Sequence, residues 1–190
     1  HRVSSKWNPT AFIVANNRHA ATMENIGQVI APNLKPQGSN AMASGTTDRG
    51  KKLLLDYAFE ASTVPTTYYL ALCTSAVTPT KAINTFSEMT QIATGQGYVD
   101  GGESLTAATD FTVTEVDGAV GAKVVVADVT WTASGGNLPA SGDGARWAVL
   151  LDGNVSGSNV LAYFDLVSDR TVSDTQTLTI QAAEIDANEP

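Results

Sequence analysis

Residues 67–74, Thr-Tyr-Tyr-Leu-Ala-Leu-Cys-Thr, carry the strongest indication of the fold. The segment is uncharged, and neither glycine nor proline interrupts it. Because side chains alternate between the two faces of a strand, both faces of this segment are apolar. One face holds Tyr68, Leu70 and Leu72, and the other holds Tyr69, Ala71 and Cys73. This pattern predicts a central strand that is covered on both sides.

More strands are predicted on the C-terminal side of this segment. Phe111–Val116 and Lys123–Trp131 flank Asp117-Gly118, a dipeptide that favours a tight hairpin turn. Strict alternation within the second segment predicts that its odd-numbered residues share one face and its even-numbered residues share the other. The remaining predicted strands are Arg146–Leu151, Val160–Leu166 and Gln176–Gln181.

A single helix is predicted on the N-terminal side of residues 67–74. Thr47 or Asp48 can cap its N terminus, and Pro65 stops it. Its apolar face holds Leu54, Tyr57, Ala58 and Ala61, and is broadened by Leu55 and Phe59. We expect this helix to cover one side of the central strand and an opposing sheet to cover the other.

One helix followed by several short strands predicts a mainly β fold, an antiparallel β-sandwich of the jelly-roll or immunoglobulin-like type. The chain has 190 residues, which favours one domain with an additional arm. Only 16% of its residues are charged, which argues against a long-helix or coiled-coil protein. The predicted organisation is an extended N-terminal arm, residues 1–41, and a β-sandwich body with its opening helix, residues 42–190.

The predicted arm is interrupted by prolines and is too small to bury its own apolar side chains. Trp7, Phe12, Ile13 and Val14 are costly to expose to water unless a partner covers them. We therefore expect these residues, together with the cationic Arg18, to form the partner-binding part of the arm.

Charge is distributed unevenly along the chain, whose net charge is -8. In residues 1–41 the charged side chains are Arg2, Lys6, Arg18, Lys35 and Glu24, a local balance of +3 that leaves -11 for the body. An acidic body makes nucleic acid a poor partner, and no apolar stretch is long enough to predict a membrane partner. The basic arm either docks on an acidic face of a neighbouring copy or is an ordinary polar tail.

Few residues in the chain suit catalysis or metal binding. Both histidines, His1 and His19, lie in the arm, so a histidine-dependent nucleophile in the body is not expected. Cys73 is the single cysteine, which rules out an intrachain disulfide and a structural zinc site. Gly95-Gln96-Gly97 and Gly142-Asp143-Gly144 are interpreted as turns, because no helix follows to bind a phosphate. We expect no cofactor and no metal.

Carboxylates and tryptophans leave two other site types to consider. Asp100 with Glu103, or Asp110 with Glu115, can in principle supply a glycosidase acid and base, although solvated loop carboxylates are the preferred interpretation. Asp143, Asp152 and Asn154 offer oxygen ligands for calcium without the EF-hand pattern. Trp131 and Trp147 lie at strand positions and are interpreted as core residues rather than as a sugar-binding platform.

Several stretches, in this order, resemble a family of small structural proteins of tailed phages, which comprises virion, head-decoration and tail-fibre-like proteins. They are Lys51–Phe59, Thr66–Ala76, Phe86–Met89 with Gly95-Gln96-Gly97-Tyr98, Ala148–Asp152, Asn159–Leu166 and Arg170–Ile180. The resemblance covers the body from Arg49 to Glu184. It departs at Asp174-Thr175, where the family pattern has a Gly-Asp turn, and the short members lack a counterpart of the arm.

The resemblance implies a non-enzymatic structural protein of the virion. The expected role is capsid decoration, as a cement or head-fibre protein that docks by its N-terminal arm. The alternatives are a tail or tail-fibre component and a carbohydrate-binding adhesin module. The expected partners are the major capsid protein or other virion proteins, and copies of the same chain in a trimer.

Overall fold

The computed structural model describes residues 28–30, 44–116 and 121–186. Within these ranges the protein is mainly β, with antiparallel sheets and one α-helix, which confirms the predicted fold class at that level. The elements in chain order are β1 (Gln28–Ile30), β2 (Gly45–Thr46), α1 (Asp48–Phe59), β3 (Thr67–Cys73), a 3-10 helix (Phe86–Glu88), β4 (Glu103–Thr106), β5 (Phe111–Val116), β6 (Gly121–Val126), β7 (Val129–Thr132), β8 (Ala145–Leu151), β9 (Val160–Arg170), β10 (Thr177–Ile180) and β11 (Ala183–Asp186). The sequence pattern does not indicate β2, β4 or β11.

The largest sheet has the strand order β2-β9-β8-β3-β4, and every neighbouring pair is antiparallel. Strand β3 lies between β8 and β4, with Leu70 opposite Leu150 of β8. Residues 70–73 of β3 are completely buried, which confirms the prediction of a central strand covered on both sides. Its faces also divide as predicted, because Leu70 and Leu72 join one hydrophobic cluster while Ala71 and Cys73 join another.

The two smaller sheets are formed largely by the same two stretches of chain, one containing β6 and β7 and the other containing β10 and β11. β7 pairs with β10, and β6 pairs with β11, so that Val129 lies opposite Ile180 and Val126 lies opposite Ala183. Between these pairs each chain is interrupted by two residues, and the Asp128 carboxylate accepts a hydrogen bond from the Ala182 N–H at 3.1 Å. We call the continuous pair β6–β7 with β10–β11, extended by β5 beside β6 and by β1 beside β10, the ribbon.

The interruption overturns the predicted alternation of Lys123–Trp131. Val126 and Val129 are both buried, and so is Trp131, although the odd- and even-numbered residues were expected on opposite faces. Two residues in irregular backbone shift the alternation by one position, so both halves of the ribbon direct apolar side chains to the same side. The irregular segment is therefore what lets a long strand pair line one core.

The main hydrophobic cluster lies between the five-stranded sheet and the ribbon. Leu72, Leu150 and Phe164 come from the sheet, and Trp131 and Leu178 come from the ribbon. The second cluster lies on the opposite face of the sheet, where the segment after β3 covers it.

This covering segment corrects the expected position of the helix. Phe86 and Met89, in and beside the 3-10 helix, pack with Cys73 and Trp147 on the second face of the sheet. Helix α1 instead lies on the side of the main cluster, beside β9. A short, loop-rich segment can cover a sheet face because two or three large apolar side chains are sufficient to exclude water there.

The turn Gly95-Gln96-Gly97 has positive φ angles at all three residues, as suits its interpretation as a turn. It places the buried Tyr98 beside β3, where the tyrosine hydroxyl accepts the Leu72 N–H at 2.9 Å. A Cβ atom on Gly97 would lie 1.9 Å from the carbonyl oxygen of Thr132. The close backbone approach at this turn therefore requires glycine.

We predict that Gly97→Ala destabilises the protein by more than about 3 kcal/mol, because a carbonyl clash adds to an unfavourable φ. Gly142→Ala is the matched control, since Gly142 also has a positive φ but no atom within 4 Å of its added Cβ. Its cost is limited to about 1–2 kcal/mol. Urea unfolding of the two variants measures the difference, and equal losses would contradict the close approach at Gly97.

Candidate functional site

Helix α1 is anchored at its N terminus. The Thr47 hydroxyl accepts the Gly50 N–H at 2.8 Å and donates to the carbonyl oxygen of Val160 in β9. The Thr47 N–H donates to the carbonyl oxygen of Leu161 at 3.0 Å. Gly50 is buried against Leu161, and a Cβ atom at Gly50 would lie 2.3 Å from that carbonyl oxygen. These contacts fix the first turn of the helix on β9 and confirm Thr47 as its cap.

The rest of α1 is much less buried than its predicted apolar face implies. Leu54, Leu55 and Phe59 are 61%, 59% and 81% exposed, although each was expected on the apolar face. The helix also ends at Phe59, because Ala61 adopts a left-handed conformation with φ 52°. The prediction that the helix continues to Ala61 and that Pro65 stops it is therefore wrong, and the helix leaves a row of large apolar side chains in contact with solvent.

An open cavity of about 210 Å³ lies beside this helix, and we call it the α1 groove. One wall comes from α1, the opposite wall from the β5–β6–β11 part of the ribbon, and the floor from the five-stranded sheet. These three groups are Leu53, Leu54 and Tyr57; Phe111, Val124 and Ile185; and Tyr68, Leu150 and Leu161. None of the lining residues is charged, so the groove suits apolar side chains rather than an ionic ligand.

Two tyrosine hydroxyls are the main polar groups of the α1 groove. Burial raises the pKa of Tyr57, and the nearby carboxylate of Asp152 raises it further. Burial also raises the pKa of Tyr68, with smaller contributions from Tyr57 and Asp152. Both hydroxyls are therefore neutral at physiological pH and can donate one hydrogen bond each at the edge of an apolar surface.

Three of the carboxylates singled out in the sequence, Asp100, Asp110 and Asp152, accept hydrogen bonds from neighbouring segments, while Glu103 lies in β4 and Glu115 in β5. Asp100 accepts from the Gln91 side-chain amide at 2.7 Å, and Asp110 accepts from the Thr106 N–H at 2.6 Å. Asp152 accepts from the backbone and the side-chain amide of Asn159. Within residues 44–116 and 121–186, no group of three or more histidine, cysteine, aspartate and glutamate side chains is arranged to hold a metal ion.

Trp131 and Trp147 are each 1% exposed, which confirms their interpretation as core residues. Trp147 packs edge-on against Tyr163, with ring centroids 6.3 Å apart. The Arg146 guanidinium lies 5.3 Å from the Trp147 ring and pairs with Asp165 at 2.9 Å. Neither tryptophan can present a ring face to a sugar.

Cys73 is buried, as predicted. Burial raises the pKa of its thiol to about 12, so the thiol is protonated at neutral pH. A protonated, inaccessible thiol is a poor nucleophile, and Cys73 acts as a small apolar residue of the second cluster.

Part of the segment predicted as the arm belongs to the ribbon. Gln28–Ile30 forms β1 and pairs with β10 in parallel, with Gln28 opposite Leu178. The predicted partner-binding residues lie outside the described ranges, and their role stays a prediction: Trp7, Phe12, Ile13, Val14 and Arg18.

Comparison with protein-family models, with curated proteins and with solved structures finds no match to this chain. Within the described ranges, α1 is the longest helix and is too short to cross a membrane.

We predict that Thr47→Ala lowers the free energy of unfolding by about 1–2 kcal/mol, because it removes the cap of α1 and one bond to β9. Thr47→Ser is the control, since it keeps the hydroxyl and most of the stability. Thermal and urea unfolding of both variants measure the effect. An alanine variant as stable as the wild type would show that the cap does not hold the α1 wall of the groove.

Proposed function

We propose that this protein is a non-enzymatic structural component of a tailed-phage virion that docks by its N-terminal arm. Its role is capsid decoration, as a cement or head-fibre protein. The body is an antiparallel β-sandwich of the jelly-roll or immunoglobulin-like type, whose two layers are the five-stranded sheet and the ribbon. The ordered likeness of residues 49–184 to small phage structural proteins supports this proposal.

The α1 groove is the observation that carries the proposal. A body that acts alone in water gains nothing from leaving Leu54 exposed at an open apolar cavity, or from leaving Leu55 and Phe59 exposed on the same helix. Such a surface is typical of a protein that binds another chain. Its uncharged lining favours protein side chains over a small ionic substrate.

The chemistry of the body supports binding rather than catalysis. Asp100, Asp110 and Asp152 accept hydrogen bonds from their own turns, and the thiol of Cys73 is buried and protonated. An adhesin that binds carbohydrate is the less favoured alternative, because Trp131 and Trp147 are buried. A tail or tail-fibre component shares the same binding chemistry as a decoration protein and differs in its place on the particle.

Charge and surface chemistry favour assembly into a homo-oligomer, which we propose is a trimer bound to the major capsid protein or to other virion proteins. The body carries a net charge of -11 and residues 1–41 carry a net charge of +3. A basic arm from one copy therefore offsets the electrostatic repulsion between bodies. Side chains such as Thr130 and Thr179, whose hydroxyls lie 2.9 Å apart, give the ribbon polar, uncharged faces that can pack without burying ions.

We predict that Phe12→Asp with Ile13→Asp lowers incorporation into particles of the phage that encodes this chain at least about tenfold, since a loss of 1.4 kcal/mol in docking is already a factor of ten. Asn16→Asp with Asn17→Asp is the matched control, because it adds the same two charges to the arm without removing apolar side chains. Its incorporation is expected to fall less.

Quantitative mass spectrometry of purified particles measures the copy number of each variant. Absence of the wild-type chain from the particles would contradict the virion assignment. Full incorporation of the Phe12→Asp, Ile13→Asp variant would show instead that the arm is not the anchor.

A further inference from the structure

The α1 groove is an apolar surface for which the described residues provide no cover. Leu54 lines this surface from α1 and is 61% exposed. Val113 extends it on the ribbon, because Val113 lies opposite Val124 in the β5–β6 register and so shares the face that lines the groove. Val113 is 72% exposed.

We propose that the α1 groove of one copy binds the segment Phe12–Val14 from the arm of a second copy of this chain, an inference that rests on the proposed function for the idea that the arm docks. The partner is therefore a short, apolar, basic-flanked segment of the same sequence. Three features of the molecule support this choice of occupant.

The first feature is size and chemistry. An apolar cavity of about 150 Å³ is sufficient to bind benzene. The α1 groove, at about 210 Å³ and open to solvent, has room for the ring of Phe12 and part of a neighbouring side chain. Ile13 and Val14 would then cover the exposed side chains of α1.

The second feature is the place where the arm joins the body. β1 starts at Gln28, opposite Leu178, and runs parallel to β10 toward β11. Ile185, which lines the groove, lies about seven residues farther along the ribbon than Leu178, on the order of 23 Å in extended backbone. Residues before Gln28 therefore join the ribbon at the end away from the groove of the same copy. The stretch from residue 15 to residue 27 spans up to roughly 43 Å when extended, enough to reach either this groove or that of a neighbouring body. The choice of a second copy therefore rests on charge, and the cross-linking test distinguishes the two.

The third feature is charge. The arm carries a net charge of +3 and each body carries a net charge of -11. Within the arm, the cationic Arg18 lies four residues after Val14. Docking of an arm on the body of another copy therefore reduces the repulsion that opposes assembly of acidic bodies. High salt is expected to weaken this contact by screening.

The test uses the full chain with a photoreactive residue in the arm. One preparation carries Phe12→p-benzoylphenylalanine at natural isotope abundance, and a second is the wild type labelled with ¹⁵N. The two are mixed, irradiated and digested with trypsin. Light arm peptides joined to the heavy peptide Leu53–Lys81, which contains most of α1, are the expected product. Cross-links only between light peptides, or to residues that do not line the groove, overturn the proposal.

Variants of the groove provide the second measurement. Leu54→Asp with Val113→Asp is expected to lower the yield of the light–heavy cross-link at least about tenfold, because it places one charge on each wall of the groove. These side chains are exposed, so the fold does not depend on them. Leu55→Asp with Phe59→Asp is the matched control, because it adds the same two charges at exposed positions of α1 that lie on the side of the helix opposite the buried Gly50, away from the groove.

The outcomes separate this inference from the proposed function. A chain that incorporates into particles but gives no light–heavy cross-link to a residue lining the groove overturns the groove as the arm receptor and leaves the virion role standing. A chain that gives the cross-link but is absent from particles supports the groove contact and contradicts the virion role. An unchanged cross-link in the Leu54→Asp, Val113→Asp variant overturns the inference.

Discussion

The burial of β3 on both faces is the constraint on which the rest of the structure depends. Four consecutive residues of this strand, 70–73, are inaccessible to solvent, so each face needs its own cover. The ribbon covers the face of Leu70 and Leu72, and the segment containing Phe86 covers the face of Ala71 and Cys73. Neither cover is optional, because burying large apolar side chains is the main favourable term in folding. Strand β4 pairs with β3 only as far as Leu70, and beyond it the Leu72 N–H donates to the hydroxyl of Tyr98. The glycine turn that positions Tyr98 is therefore needed to satisfy the buried backbone of β3.

The same arrangement explains why α1 is left incompletely covered. Since both faces of the central strand already have covers, the helix is needed only along the edge of the main cluster, where Thr47 and Gly50 bind it to β9. Its later turns are partly buried, expose Leu54, Leu55 and Phe59 to solvent, and form one wall of the α1 groove. An incompletely buried helix costs stability in an isolated body, and it provides an apolar surface for a partner chain. This is the physical link between the fold and the proposed docking role.

Much of the fold could be predicted from short-range patterns in the sequence. The two-faced strand at 67–74, the cap at Thr47 and the buried tryptophans follow from alternation, capping chemistry and side-chain size. The interruption at Asp128 could not be predicted, because it is stabilised by a contact with Ala182, far away in the sequence. The sequence pattern does not predict β4 or β11, because a short strand that contains charged residues forms only when a neighbouring strand pairs with it. At Asp174-Thr175, where the family resemblance has Gly-Asp, a turn forms with Thr175 at φ 69° and Asp174 accepting the Gly135 N–H. The α1 groove could not be predicted from the sequence, because apolar residues have the same spacing along a helix whether the face they form is exposed or buried.

The most direct test of the account is an experimental structure of the full chain in its assembled state. In that structure we expect the groove between α1 and the β5–β6–β11 part of the ribbon to contain an extended apolar segment from a neighbouring copy, with an aromatic ring against Leu150 and Tyr68. The result that would contradict it is an assembled particle or oligomer in which the α1 groove faces solvent, or is filled by the arm of the same copy.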